Sequence, residues 1–228
     1  MTLKDIQTKL HDKLKPSGWG DKLKMFILSQ DFYEILSKLH QDVKAKKRFA
    51  PTLKDVFRNF EECSYKDLKV VIVGHELYPQ ADIADGILFS SSKTGEPTPH
   101  LKNIFKEIER TTDNPDGYVW DPDLKRWSNQ GVLMLNIPMT SQVANANSHN
   151  KLWEPFNNYL FEMLNKYNTG IVYIFIGDDV LPWHKHVGKD NYKFFTTHPS
   201  LTSDWDSGNL FNNVNKLLKE LNNEEIVW

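Results

Sequence analysis

The chain holds one cysteine in 228 residues, Cys63, so no internal disulfide can form, and a lone thiol fits a reducing compartment. It is expected to be an inert, structural thiol. No run of 18 apolar residues occurs, which excludes a membrane-spanning helix and a partner in the bilayer. The opening stretch MTLKDIQTKLHDKLK is charged throughout and has no apolar signal core, which points to an intracellular protein. There is no basic excess either: 28 Lys and Arg stand against 30 Asp and Glu, a net charge of −2. Any face for nucleic acid must therefore be local. The one basic run, KAKKR from Lys44 to Arg48, reads as a solvated helix end. Repeats, linkers and low-complexity tracts are missing too. The chain reads as one domain over 1–228, with residues 1–20 as a polar, loosely held lead-in. His184 and His186 in PWHKH have no third ligand nearby, so no metal is expected, and no cofactor.

What is present is an alternation of apolar strands and helical stripes. The strand Lys69–Val73 carries a β-branched run, Val70 to Val73, that stops on Gly74, the mark of a strand buried on both faces. Similar runs occupy Gly131–Asn136, Ile171–Ile176 and Lys193–Thr197. Between them, Leu101, Ile104, Phe105 and Ile108 fall at i, i+3, i+4 and i+7, a core-facing stripe. Further stripes are carried by a helix over Met25–Lys47, with Val43 on its apolar face, and by helices near Phe156–Leu164 and Phe211–Leu221. The pattern predicts an α/β fold: a three-layer sandwich with a central four-stranded, mainly parallel sheet flanked by helices. Trp19, Trp120, Trp127 and Trp153 read as packing residues.

Each strand stops on a polar group. His75 and Glu76 follow the first, Asn136 ends the second, Asp178 follows the third and His198 follows the fourth. Parallel strands put these ends on one edge, where open α/β sheets bind ligands. A single polar residue after a strand is ordinary loop chemistry, but four ends with catalytic residue types point to a site. Asn136 offers a donor and an acceptor together, as the edge of a pyrimidine or amide requires. Phe89 can stack on a flat ring. His198 can donate to an oxygen gathering negative charge, and Glu76 can orient water or stabilise a cation. Together these are the parts for hydrolysing a bond between a heterocycle and a sugar.

At these residues the sequence resembles the family 1 uracil-DNA glycosylases, from about Asp21 to Trp228. KVVIVGHELYP resembles the family's water-activating segment, which reads Gly-Gln-Asp-Pro-Tyr-His after the same strand. GILFS resembles the segment whose Phe stacks on uracil, PTPHLKNIFKEIE the proline-rich loop and helix, and WSNQGVLMLN the strand whose terminal Asn reads the uracil edge. NANSHNKLWEPF and HPSLTS resemble the Ser-His and His-Pro-Ser loops, and the closing IVW resembles the family's usual end. The resemblance implies extrusion of uracil from single-stranded or duplex DNA and metal-free cleavage of its N-glycosidic bond, in DNA repair. It implies that Glu76 and His198 are catalytic. His75, Tyr78, Phe89 and Asn136 would bind the base, with Tyr78 excluding the thymine methyl. Pro97, Pro99, Ser200, Leu201, Thr202, Ser203 and Trp205 would contact DNA.

The departures fall where chemistry and DNA grip reside. The family's catalytic Asp is Glu76 here, which moves the carboxylate by about one bond length, an error that can cost on the order of a hundredfold. His75 replaces Gln and Leu77 replaces Pro. Gly177-Asp178, followed by Asp179, replaces the Gly-Ser whose Ser holds a DNA phosphate, and a carboxylate there repels one. Leu201-Thr202 replaces Pro-Leu, Asp204-Trp205-Asp206 stands where a basic residue is usual, and His100 replaces a Ser. Two readings stand open. One is a uracil-DNA glycosylase with reduced or altered activity. The other is an inactive relative that binds uracil-containing DNA, or a protein partner through the acidic 178–179 and 201–206 loops. Trp205 would either replace the lost wedge or anchor that partner.

Overall fold

The computed structural model describes residues 2–75, 78, 82–113, 117–145, 147–199 and 205–228. Helices α1 (Leu3–Leu14), α2 (Trp19–Ile27) and α3 (Gln30–Lys44) lead to a two-residue strand, β1 (Phe49–Ala50), and a short helix, α4 (Arg58–Glu62). Strand β2 (Val70–Gly74) is followed by α5 (Pro99–Thr111), α6 (Lys125–Ser128) and β3 (Val132–Asn136). Then come β4 (Ser141–Gln142), α7 (Asn150–Tyr167), β5 (Val172–Ile176), β6 (Tyr192–Thr196) and α8 (Leu210–Glu220).

The four long strands form one sheet in the order β3-β2-β5-β6, with every pairing parallel. Strands β1 and β4 make a small antiparallel pair beside it. Side chains alternate across a strand, so each strand feeds two cores. Val71, Val73, Leu133, Leu135, Tyr173 and Phe175 pack with α1 to α4 and α7. Val70, Ile72, Val132, Met134, Val172 and Ile174 pack with α5, α6 and α8. Helices thus cover both faces, giving the three-layer α/β sandwich expected. This is why β2, β3 and β5 read as unbroken apolar runs: burial on both sides leaves no position for a polar residue until the strand ends, whereas the edge strand β6 is largely exposed and carries Lys193.

The amino-terminal lead-in corrects an expectation. Residues 3–27 are two helices packed into the core, where the sequence suggested a loosely held segment over 1–20. Thr2 and Asp5 close a capping box on α1. The Gln7 side-chain amide donates to the carbonyls of Ile27 and Ser29 at 2.8 and 2.9 Å, and the Trp19 indole N–H donates to the Cys63 carbonyl at 2.7 Å. The stripe Leu3, Ile6, Leu10 and Leu14 is narrow and sits among charged residues, so composition hid it. The helix expected over Met25–Lys47 is likewise two helices. Ser29 breaks it by capping α3, its hydroxyl accepting from the Phe32 N–H at 3.2 Å. Val43 lies off the buried face and is exposed. Cys63 is fully buried, which pushes its thiol up to about 12.

Candidate active site

The parallel register places the strand ends in one row. Gly74 of β2 pairs with Asn136 of β3 and with Ile176 of β5, and Ile176 pairs with Thr196 of β6. His75, Gly177-Asp178 and His198 therefore leave the sheet along the same edge, with Asn136 beside them. The Ile137 N–H donates to the Gly74 carbonyl at 2.9 Å, which carries the ladder one residue past Asn136 and fixes where that side chain starts.

Tyr78 and Phe89 are joined directly. The buried Tyr78 hydroxyl lies 3.2 Å from the Phe89 carbonyl and 2.9 Å from the Thr98 hydroxyl. A carbonyl only accepts, so Tyr78 donates to Phe89 and accepts from Thr98. Thr98 caps α5, its oxygen accepting from the Leu101 N–H at 3.3 Å. The phenol is thus tied to a helix end. Phe89 itself is 1% exposed and holds a left-handed backbone at φ 63°, a conformation that a bulky residue adopts only when its surroundings impose it.

Asp85 imposes it. This carboxylate is buried and accepts from the N–H groups of Ile87 and Ser92 and from the hydroxyls of Ser90 and Ser92. The Arg58 guanidinium lies 2.9 Å away and also meets Asp123 at 2.6 Å. Burial pushes Arg58 down, but these carboxylates outweigh it and raise it. Gly86 is needed beside Asp85: its φ is 95°, and a Cβ there would come within 1.8 Å of the Asp55 carbonyl oxygen. Around Tyr78 the packing is close. The cavity between Tyr78, Ile87, Asn136 and Met139 measures about 10 Å³, room for about one water.

His198 is held from three sides. Its ring centroid lies 5.8 Å from Phe89 and 4.9 Å from His100, the latter at an interplanar angle of 87°. Behind it is Gly177, where an added Cβ would come within 3.3 Å of the His198 Cβ. Such edge-on ring contacts set orientation as well as burial. The site therefore gathers Tyr78, Phe89, Asn136 and His198, four of the residues singled out in the sequence.

The others fall elsewhere. His75 turns to Asp179, its Nδ1 3.4 Å from the carboxylate, at the edge of a separate crevice shared with Lys151, Glu154 and Trp183. Pro97 and Pro99 precede and open α5, beside the Tyr78 hydroxyl network. Asp178 and Asp179 are exposed, as a carboxylate pair at the strand edge should be. Glu76, Ser200, Leu201, Thr202 and Ser203 lie outside the described residues. Trp205 begins the next described segment. It is only 7% exposed, packs on Phe211 and donates its indole N–H to the Thr197 carbonyl at 3.0 Å. The indole anchors its segment to the core. Arg58, Asp85, Thr98 and Glu107 were missed. Glu107 is buried and accepts from the N–H and hydroxyl of Ser207, holding the chain just beyond the last loop. The cluster of Asp85, Ser90 and Ser92 was the available signal, since Asp and Ser in a turn often bond the local backbone.

The fold and these groups define a class: an α/β protein whose parallel sheet presents an aromatic wall, an amide and an imidazole at its carboxyl edge. Comparison with known proteins narrows it. A model of the Uracil DNA glycosylase superfamily matches residues 60–222. The chain is 32% identical over 220 residues to the uracil-DNA glycosylase of Clostridium perfringens (strain SM101 / Type A), covering 93% of this chain and 95% of that one. It is 31% identical over 202 residues to that of Mesomycoplasma hyopneumoniae (strain 7448), covering 86% and 90%. The fold is that of mimivirus uracil-DNA glycosylase, with a TM-score of 0.80 at 23% identity over 93% of this chain and 86% of that one. The chain belongs to the uracil-DNA glycosylase superfamily.

Proposed function

We propose that the protein, as a single domain over 1–228, is a DNA glycosylase that hydrolyses the N-glycosidic bond of uracil flipped out of DNA. The observation that carries this reading is the aligned row of strand ends, with Asn136 lining the small cavity at Tyr78, the His198 ring against Phe89, and Phe89 tied to Tyr78. In this reading Phe89 stacks on the flipped ring. Asn136 meets the donor and acceptor on its edge, and Tyr78 fills the space a 5-methyl group would need. As the bond between the sugar carbon and the base nitrogen breaks, its electron pair passes to the base. His198 donates to the base oxygen that gathers the charge. Glu76 steadies the sugar cation and orients the water that adds to it. A proton from that water balances the leaving base.

A second reading, an inactive binding module, draws on the exposed Asp178 and Asp179, which repel a phosphate at the strand edge.

A single-stranded oligonucleotide with one uracil separates them. Alkali-labile abasic sites are expected from the wild type, with His198→Ala slower by about 10²–10³, the usual cost of one such donor. Absence of cleavage at stoichiometric protein, with activity restored by Glu76→Asp, would establish the binding module and refute native activity.

A further inference from the structure

The basic run Lys44–Arg48 starts on the last residue of α3 and continues past it, where the chain turns through Lys46 at φ 58°. It does more than dissolve a helix end. With Lys93 from a distant segment, Lys46, Lys47 and Arg48 line a groove of about 400 Å³ whose apolar wall includes Phe49 and Leu53. One exposed carboxylate, Asp82, faces these four cations across the groove. Arg48 meets Asp82 at 3.1 Å, Lys47 is 3.9 Å from the buried Asp42, and Lys93 meets Asp55 at 2.7 Å. Lys46 has no ion-pair partner among the described residues. A chain with net charge −2 thus concentrates positive charge in one concavity.

The groove is continuous with the base pocket. Pro51 and Ala84 line both the groove and the small cavity at Tyr78 and Asn136. Ala50 and Ala84 pack directly with Tyr78. Two groove cations hold the segment Asp82–Ala84: Arg48 through Asp82, and Lys93 through a 3.0 Å bond to the Ala84 carbonyl. Cations beside a half-buried aromatic ring and an exposed Leu are the two components single-stranded nucleic acid uses, with phosphates on the charges and bases on the apolar wall. The exposed Asp178 and Asp179 at the strand edge offer phosphates nothing.

We infer that the groove of Lys46, Lys47, Arg48, Lys93 and Phe49 is a subsite for the single-stranded DNA flanking the target base, supplying the phosphate grip that the acidic strand edge lacks. The inference rests on uracil in DNA being the substrate. Binding is read by fluorescence anisotropy of a labelled 20-nucleotide oligothymidylate, which requires no cleavage, with a 6-nucleotide oligomer for comparison. The full chain is compared with Lys46→Ala/Lys47→Ala/Arg48→Ala and with a control, Lys216→Ala/Lys219→Ala, on the exposed face of α8. Equal thermal melts establish that the triple variant folds; if it does not, Lys46→Ala alone, whose side chain has no ion pair among the described residues, replaces it.

The expected result is weaker binding of the 20-mer, with the slope of log K against log salt reduced by about 0.7 for each cation removed. The advantage of the 20-mer over the 6-mer should shrink, and the control should bind as the wild type does. No oligothymidylate binding, an unchanged slope, or an equal change in the control overturns the inference. So does equal displacement by poly-L-glutamate, which would assign the groove to an acidic polypeptide. A wild type that cleaves no uracil while the slope still falls with the triple variant would defeat the glycosylase reading and leave the subsite standing.

Discussion

At the scale of the residue, the site depends on single polar atoms placed against apolar walls. The Tyr78 hydroxyl is the clearest case. It is buried, donates to the Phe89 carbonyl and accepts from Thr98, so it ties the Tyr78 ring to the Phe89 backbone and to the start of α5. Tyr78→Phe keeps the ring and removes the link. A buried hydrogen bond contributes about 1 kcal/mol net, and the groups left behind lose their partner. A stability loss of roughly 1–2 kcal/mol is expected, read as a lower urea midpoint at unchanged slope, with slower uracil release. A variant as stable and as fast as the wild type would show that the link positions nothing. His198 is oriented by rings instead: Phe89 and His100 flank it, and Gly177 leaves it space. No spacing rule shows such contacts, because His100, Gly177 and His198 are brought together only by the sheet edge and the start of α5.

At the scale of the element, the segment from Asp85 to Ser92 holds Phe89 without forming a helix or strand. Its order comes from one buried carboxylate that accepts four hydrogen bonds and faces Arg58 of α4. Removing one partner of a buried ion pair leaves an uncompensated charge, which typically costs about 3–5 kcal/mol. Arg58 keeps Asp123, so Asp85→Asn should fall near the low end, about 3 kcal/mol. The segment should loosen before the rest of the molecule, with the Ile87 and Ser92 amides exchanging hydrogen faster while the β2 amides stay protected. Equal loss of protection in β2 would show that Asp85 acts on global stability alone. The same lesson applies at the amino terminus. Helix α1 resembles a polar lead-in because its apolar stripe is only about one residue wide per turn, yet Leu14, and Trp19, Leu23 and Ile27 of the α2 that follows, are fully buried. A narrow stripe suffices when the facing surface is already apolar.

At the scale of the whole molecule, one buried polar chain links α3, the β4 turn and α7. The Asp42 carboxylate accepts from Lys38, Gln142 and the His149 Nε2, and the His149 Nδ1 meets the Thr140 hydroxyl, which accepts from the Trp153 indole. Burial pushes Asp42 up, but its hydrogen bonds outweigh burial and hold it at about 2, below its ordinary 3.8. Burial pushes His149 below 6.5, outweighing the attraction of Asp42, so the folded protein carries it neutral. Both groups take a proton more readily when unfolded. Stability should therefore be greatest above pH 6.5, decline as the unfolded chain protonates His149, and fall again between about 3.8 and 2 as Asp42 is lost. The second step amounts to about 2 kcal/mol. Urea midpoints at pH 7.5 and 5.5 test the first step, and His149→Gln should flatten it. An unchanged slope in that variant would place the titration on another group.

The sequence alone determined the architecture and the chemistry at the strand ends. Burial on both faces forces unbroken apolar runs, and where a run ends the first tolerated polar residue is visible, so Asn136 could be read directly, while His198 follows the exposed edge strand β6 and was found by the parallel alternation. Tertiary structure decided which residues support them. Arg58 and Asp85, Glu107 and Ser207, His100 and His198, and the cations on either side of Phe49 are neighbours only after the helices have closed on the sheet. It also buried Trp205 and gave the amino-terminal helices their partner surface. Periodicity reports which face of an element is apolar. What that face meets, and which polar group is enclosed with it, depends on contacts between distant segments that no local pattern encodes.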